Sequence, residues 1–155
     1  MQDQITSGTD SIQRLEPVFV AQHWEELCVY LKQLPMSPRG YRTEGDLNNL
    51  LANVLAGYSF IWLVVGAEGE VKLAAILSRG VNGPEGHSVM HIEGLMGFEK
   101  LPPEMFTVGM AAMQEHATRL GCCGFVAETQ EKNVVALTEK LGWKSYPMYK
   151  LYKEL

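Results

Sequence analysis

Apolar residues recur with helical spacing in two segments of the first third of the chain. In residues 24–34 they lie three and four positions apart, and Pro35 ends the predicted helix. Residues 47–55 repeat the pattern, and Thr43 and Asp46 precede it at the spacing of a capping box. The sequence therefore predicts two helices before the first long apolar run.

A third helix is predicted in the second half of the chain. Pro102 and Pro103 suit its first turn, because an N-terminal helical residue does not need its own N–H. Gly121 is placed to end it. Its buried face is predicted to consist of Phe106, Met110, Met113, Ala117 and Leu120.

Four segments have the pattern of strands. Residues 60–65 form a continuous apolar run, and a Gly-containing turn joins them to a second strand at 71–78, which predicts a hairpin. Residues 88–96 predict a third strand before the long helix, and residues 124–128 predict a fourth after it.

The two ends of the chain complete the predicted order. Residues 1–10 are polar and aperiodic, which predicts a flexible tail, and residues 11–20 suit a short first strand limited by Pro17. A last helix is expected to begin after Thr129, with Val134, Leu137 and Leu141 inward. Alternating aromatic and lysine residues predict a closing strand at 146–155.

This order predicts one α/β (α+β) domain over residues 11–155. About six strands form a mixed, mostly antiparallel central sheet, and about four helices flank it. No repeat or internal linker divides the chain.

Charge and composition exclude several partners. The net charge is −5 with both signs interspersed, which argues against a surface for nucleic acid or anionic lipid. The longest purely apolar run, residues 60–65, is far shorter than the roughly 20 residues of a membrane span. The cysteines are odd in number and no secretory leader is apparent, so a reducing cytoplasm is expected. No His and Cys spacing predicts a zinc site.

Three segments together resemble the GCN5-related N-acetyltransferase (GNAT) superfamily. They are the apolar-acidic run at residues 92–96, the passage from helix to strand at 120–128, and Leu-Thr-Glu-Lys-Leu-Gly-Trp at 137–143. The resemblance extends from about Ser11 to the end of the chain. It implies a GNAT-like fold in which acetyl-CoA lies where two central strands separate, and an amine attacks the thioester directly.

The resemblance also assigns roles to residues. Glu93 matches a candidate base, and His91, two residues earlier, is a candidate partner for it on the same strand face. Thr138 stands where family members place a tyrosine that protonates the leaving thiolate. A solvated strand carboxylate and a histidine satisfied by a neighbour are the alternatives for Glu93 and His91.

The cofactor residues implied by the resemblance are Leu95, Met96 and Gly97, whose strand amides would hold the carbonyl, together with Lys100 and Asn133. The usual glycine-rich pyrophosphate loop is replaced by residues 97–105. Within this segment Pro102 and Pro103 lack an N–H to donate, and Glu99 and Glu104 repel phosphate.

Two functions stay open at this point. One is an acyl-CoA N-acyltransferase with acetyl-CoA as cofactor and an unknown amine as substrate. The other is a non-catalytic GNAT-like structural or assembly protein with a protein partner or a homo-oligomeric state. The sequence resembles GNAT-like proteins of tailed phages, which implies a virion component or a protein of the host cytoplasm.

Overall fold

The computed structural model describes residues 10–34, 43–129, 131–149 and 151–154, and the backbone of residues 4–7. Eleven elements follow one another along this part of the chain. In order they are β1 (Gln4–Ser7), β2 (Asp10–Arg14), α1 (Pro17–Gln22), α2 (Trp24–Leu31), α3 (Glu44–Leu55), β3 (Ser59–Val65), β4 (Val71–Asn82), β5 (His87–Gly97), α4 (Pro103–Arg119), β6 (Phe125–Ala127) and α5 (Lys132–Lys140).

The six strands form one sheet in the order of the chain, from β1 to β6. Neighbouring strands are antiparallel except for β5 and β6, which are parallel. A parallel pair needs a long crossover connection, and α4 provides it. The structure thus confirms the predicted mixed, mostly antiparallel sheet in a single domain.

Side chains of β3 alternate between two cores, one on each face of the sheet. Ile61 and Leu63 pack with α1, α2 and α3. Trp62 and Val64 pack on the other face with α4, whose Met105, Met110 and Met113 are buried there. Because helices cover both faces of the sheet, the side chains on both sides of β3 are apolar, and its sequence is a continuous apolar run.

Local signals in the sequence explain where helices begin and end. The Asp46 N–H donates to the Thr43 hydroxyl at 3.1 Å, and the Thr43 N–H donates to the Asp46 carboxylate at 2.7 Å, which is the predicted capping box. Gly57 and Gly121 follow α3 and α4 at φ of 79° and 78°. This left-handed conformation costs glycine little.

The prediction of a first strand over residues 11–20 was wrong in extent. Strand β2 ends at Arg14, and α1 begins at Pro17. A proline at the first helical position has no N–H that needs a partner, so Pro17 starts a helix instead of bounding a strand. Within residues 1–10, Gln4–Ser7 pairs with β2. The domain boundary after residue 10 stays a prediction.

The predicted closing strand at 146–155 does not form in the residues described there. Residues 143–149 and 151–154 contain no strand, and Tyr149 and Leu151 are 95% and 92% exposed. The inward face of α5 also differs: Leu137 and Leu141 are exposed, while Val134, Val135 and Thr138 are half-buried. Alternating side chains predict a strand, but a strand also needs a neighbour to pair with.

One lysine is enclosed by carboxylates where β4 begins. The Lys72 ammonium lies 3.0 Å from the carboxylate of Asp10, 3.7 Å from Glu70 and 4.0 Å from Glu99. Asp10 is buried, and its hydrogen bond to Lys72, followed by the Coulomb attraction of the three carboxylates, raises the pKa of Lys72 above its usual 10.5.

Replacing Lys72 with methionine is expected to lower the unfolding temperature by several degrees at pH 7, because the buried Asp10 carboxylate loses its partner. Because the pKa of Lys72 is higher in the folded protein than its usual value, its interactions stabilise the fold fully at a pH below the usual lysine pKa. This stabilisation is lost as the pH rises through the pKa of the folded state. The difference between variant and parent should therefore shrink above about pH 10.5. Thermal unfolding from pH 7 to pH 11 measures it, with the exposed Lys132→Met as control. A difference that is constant across that range would contradict the ion-pair explanation.

Candidate active site

A β-bulge lies at the predicted catalytic position in β5. Ile76 of β4 pairs with Gly94, and Leu77 pairs with Ile92, so that Glu93 is an extra residue in β5. Such a residue bends its strand and re-aims the side chains that follow. Ile92 and Leu95, three apart, accordingly pack against the same core beside α4. Glu93 itself is exposed.

Strands β5 and β6 separate directly at the bulge. Their parallel pairing covers Met90 with Phe125, His91 with Val126 and Ile92 with Ala127. Beyond this point β5 continues to Gly97 in register with β4. The edge of residues 93–97 that faces away from β4 therefore has no strand beside it within the described chain. Glu93 and Gly97 are exposed there, whereas Gly94 is buried.

Leu95, Met96 and Gly97 lie on this open stretch of β5. They pair with Ala75, Ala74 and Leu73 of β4, which fixes their backbone. Leu95 packs towards the core beside α4, and Met96 packs towards the core of α1–α3. An extended ligand beside them would be held by backbone N–H and C=O groups, in the manner of an added strand.

His91 and Glu93 are not brought together by a hydrogen bond or ion pair in the described residues. The imidazole covers Gly80 so closely that a Cβ there would lie 2.5 Å from the ring. Gly80 pairs with Val89, which precedes His91 by two residues, whereas Glu93 follows His91 by two residues. The imidazole therefore lies along β5 in the direction opposite to Glu93. The two-residue spacing suggested one face, but the bulge interrupts the alternation on which that inference depends. Their catalytic roles stay predictions.

The segment after β5 offers little to an anion. Pro102 caps α4 and Pro103 is its first helical residue, and neither has an N–H. The Met105 N–H donates to the Pro102 carbonyl at 3.0 Å. The structure describes all of the first three residues of α4. Pro103 has no N–H and the Met105 N–H is engaged, so Glu104 is the one of these three whose N–H is available to an incoming phosphate. Its own carboxylate opposes such a ligand.

Charges around this segment are mixed. Lys100 is exposed, as expected of a residue that could reach a phosphate. The second cation nearby, Lys72, is already engaged with three carboxylates, including Glu99 from the same loop. Lys100 is therefore the cation of this loop that could still contact a phosphate. Its role in cofactor binding stays a prediction.

Thr138 lies in the motif that ends α5. Its hydroxyl is 2.9 Å from the Val134 carbonyl and 3.0 Å from the Val135 carbonyl, so it donates within its own helix. The Trp143 N–H bonds to the Thr138 carbonyl, and Gly142 has a φ of 89°. The Lys-Leu-Gly-Trp sequence is therefore a helix stop of the Schellman type. Asn133 is exposed in the first turn of the same helix.

The structure adds one contact that sequence reasoning missed. Tyr30 of α2 packs edge-on against Phe98, with ring centroids 5.3 Å apart. Phe98 directly follows β5, and its N–H bonds to the Lys72 carbonyl. This contact brings α2 to the end of the open strand. Helical spacing identifies the apolar stripe of α2, but Tyr30 lies off that stripe and gave no signal.

Two kinds of site are not found in the residues that the structure describes. No helix among them is both long and apolar enough to span a membrane. Nor does any group of three or more His, Cys, Asp or Glu side chains there have the arrangement of a metal site.

Known structures share this architecture. No family model matches the chain, and no curated protein matches it. The aminoglycoside acetyltransferase AAC(6')-Iy, solved with a bisubstrate analogue of CoA and acetylneamine, matches with a TM-score of 0.67 at 20% identity over 96% of this chain and 99% of its own.

Two further structures match over similar lengths. Glucosamine-6-phosphate N-acetyltransferase from Arabidopsis thaliana has a TM-score of 0.62 at 17% identity and covers 94% of this chain and 100% of its own. A GNAT family acetyltransferase from Staphylococcus aureus has a TM-score of 0.61 at 15% identity and covers 96% and 100%. The agreement extends over nearly the whole of each chain, and this protein therefore has the fold of the GNAT superfamily.

Proposed function

We propose that this protein transfers an acetyl group from acetyl-CoA to an amine. The observation that carries the proposal is the separation of β5 from β6 at the Glu93 bulge. It leaves residues 93–97 without a neighbouring strand on that side in the described chain, beside an exposed carboxylate. The edge suits the amide groups of a pantetheine arm, and the carboxylate suits an amine that must lose a proton.

The reaction proceeds in one displacement. Glu93 accepts a proton from the acceptor ammonium, directly or through a water, which frees the nitrogen lone pair. The nitrogen attacks the thioester carbonyl carbon while an N–H of residues 95–97 stabilises the developing negative charge on the oxygen. The C–N bond forms, the C–S bond breaks and CoA leaves as a thiolate, which takes up, through water, the second proton that the nitrogen loses as it becomes an amide. Thr138 has no role in this step because its hydroxyl donates to Val134 and Val135.

Acetyl-CoA is held mainly through its pantetheine arm in this proposal. Pro102 and Pro103 remove two backbone donors from the start of α4. A hydrogen bond to a charged group contributes about 1.5–3 kcal/mol, so two lost bonds weaken binding by on the order of a hundredfold or more. Lys100 supplies the remaining cation. AAC(6')-Iy, whose fold is similar, has been solved in complex with CoA, and this supports the proposal that a protein of this fold binds CoA.

A non-catalytic assembly protein is the second candidate. The loop prolines and the engaged Thr138 hydroxyl favour it, because both depart from the pattern that the GNAT resemblance implies. The phage virion component implied by the resemblance is one form of this candidate. It predicts a folded protein that neither binds CoA nor transfers an acetyl group.

Thermal unfolding with acetyl-CoA separates the two candidates. A ligand of the native state at a hundredfold excess over its Kd adds about 2.7 kcal/mol, which raises the unfolding temperature by several degrees in a domain of this size. Acetyl-CoA and CoA should both produce the shift, and ATP at the same concentration serves as the control for phosphate alone. An unchanged temperature at millimolar acetyl-CoA, together with no thiol release in the presence of a panel of primary amines, would rule out the acetyltransferase.

A further inference from the structure

The beginning of β4 is tied to the chain just beyond β5 through one residue, Lys72. The register of β4 with β3 shifts between Leu73 and Val71, so that Lys72 is an extra residue in β4. Such a bulge bends its strand and leaves the extra residue out of the regular pairing. The Lys72 carbonyl accepts from two N–H groups instead, that of Phe98 at 2.8 Å and that of Glu99 at 3.4 Å.

The side chain of Lys72 holds the same segment a second time. Its ammonium lies 4.0 Å from the Glu99 carboxylate and 3.0 Å from the buried carboxylate of Asp10. Moving the ammonium away would leave a buried charge without this partner, so Asp10 fixes its position. Gly66 makes room for the lysine, since a Cβ there would lie 2.7 Å from the Lys72 Cε. Lys72 therefore joins β2 to the chain beyond β5.

The chain held in this way is the β5–α4 segment, residues 98–102, which leads from β5 into α4. Tyr30 of α2 packs on Phe98 at its beginning, and Leu101 packs against the core beside α4 at its end. Lys100, the candidate cation for the phosphates, lies between these two contacts. A cation on a fixed backbone loses less conformational freedom when a ligand binds, and this favours affinity.

We propose that Lys72 is a positioning residue for acetyl-CoA, which holds the β5–α4 segment so that Lys100 and the first turn of α4 meet the phosphates together. This inference rests on the proposed function, and it assigns no contact between Lys72 and the substrate. Loss of the tie weakens the binding of a ligand that reaches the segment and leaves the reaction at the thioester unchanged. The KM for acetyl-CoA therefore depends on Lys72, whereas kcat does not.

Gly66→Ala tests the tie without changing any charge. The added methyl group takes the space of the Lys72 Cε and of the Glu70 carboxylate, which are the ends of flexible side chains and move aside. We expect the dissociation constant of CoA to rise about 3- to 10-fold and that of acetyl-pantetheine, which lacks the pyrophosphate, to stay unchanged. Isothermal titration measures both. Gly45→Ala in α3, where a Cβ meets the Thr43 hydroxyl at an ordinary 3.6 Å, is the matched control.

Two substitutions of Lys72 itself give the second comparison. Lys72→Met should weaken CoA binding about tenfold or more, and Lys72→Arg should restore most of the affinity because it keeps a cation between the carboxylates. Lys72→Met is also expected to be less stable. Val54→Ala, which opens a cavity in the core of α1–α3, therefore serves as a destabilised control with unchanged CoA affinity. Circular dichroism verifies that each variant is folded at the temperature of the titration.

Hydrogen exchange of the ligand-free protein tests the segment directly. The Phe98 and Glu99 amides should exchange about tenfold faster in Lys72→Met than in the parent, while the amides of α5 exchange equally. Unchanged exchange, equal weakening for both ligands, or a Gly66→Ala variant with the CoA affinity of the parent would each overturn the inference while leaving the acetyltransferase intact. A parent that binds no CoA would overturn the proposed function and with it the cofactor role of Lys72, and the exchange rates would still decide whether Lys72 fixes the segment.

Discussion

Replacing Glu93 with glutamine is expected to lower kcat/KM for acetyl transfer by about 100- to 10,000-fold at pH 7, the usual contribution of a positioned general base. Glutamine keeps the size and exposure of the side chain but does not accept a proton. The loss should decrease above about pH 9, because a growing fraction of an alkylamine acceptor is then already deprotonated. A thiol-release assay across this pH range measures both effects.

The comparison with Glu85→Gln isolates the role of the base. Glu85 is an exposed carboxylate in the turn between β4 and β5, so its removal changes the net charge equally. That variant should retain full activity, and the acetyl-CoA dissociation constant should be unchanged in both. If Glu93→Gln keeps its activity, or loses it equally at every pH, the carboxylate is not the base. A loss in Glu85→Gln as well would indicate a general effect of charge.

Periodicity was sufficient to predict most of the fold. The apolar run of β3 and the helical stripes of α2, α3 and α4 each meet a core that the structure confirms. It failed at Pro17, because the same residue can bound a strand or begin a helix, and the choice depends on what the neighbouring side chains pack against. It also failed for residues 146–155, since alternation reports suitability for a sheet and not the presence of a pairing strand.

The site was less predictable than the fold. Sequence reasoning placed Glu93 on the third predicted strand, which the structure has as β5. It did not predict the bulge, because an extra residue in one strand is defined by its register with another. The placement of His91 against Gly80 depends on the same cross-strand register. Gly94 was the sequence signal for the bulge, since glycine within a strand often marks a bulge or a close backbone approach.

The motif at residues 137–143 identifies the fold for a structural reason. Leu141, Gly142 and Trp143 end α5 through the carbonyl of Thr138 and the left-handed Gly142, and Trp143 then packs on Phe125 of β6. These requirements constrain the helix end whether or not the protein is an enzyme. The motif is therefore compatible with a threonine at position 138, whose side chain serves the helix itself.

Replacing Pro103 with alanine is expected to tighten CoA binding by about 10- to 100-fold, which corresponds to one hydrogen bond to a charged group. Alanine restores an N–H at the first position of α4, where the positive end of the helix dipole also favours an anion. Glu104 would then no longer be the sole donor among the first three helical residues. Loss of the proline should cost no more than about 1 kcal/mol of stability. Isothermal titration with CoA measures the change.

The pantetheine arm alone provides the matched ligand. Acetyl-pantetheine has the thioester and both amides but lacks the pyrophosphate, so its affinity should be the same for the parent and Pro103→Ala. Pro84→Ala, in the turn between β4 and β5, controls for the loss of a proline elsewhere. Equal tightening for both ligands would mean that the variant reshaped the cleft instead of binding phosphate. No tightening for CoA would mean that the pyrophosphate does not lie at the start of α4, and that the pantetheine arm on β5 is bound without it.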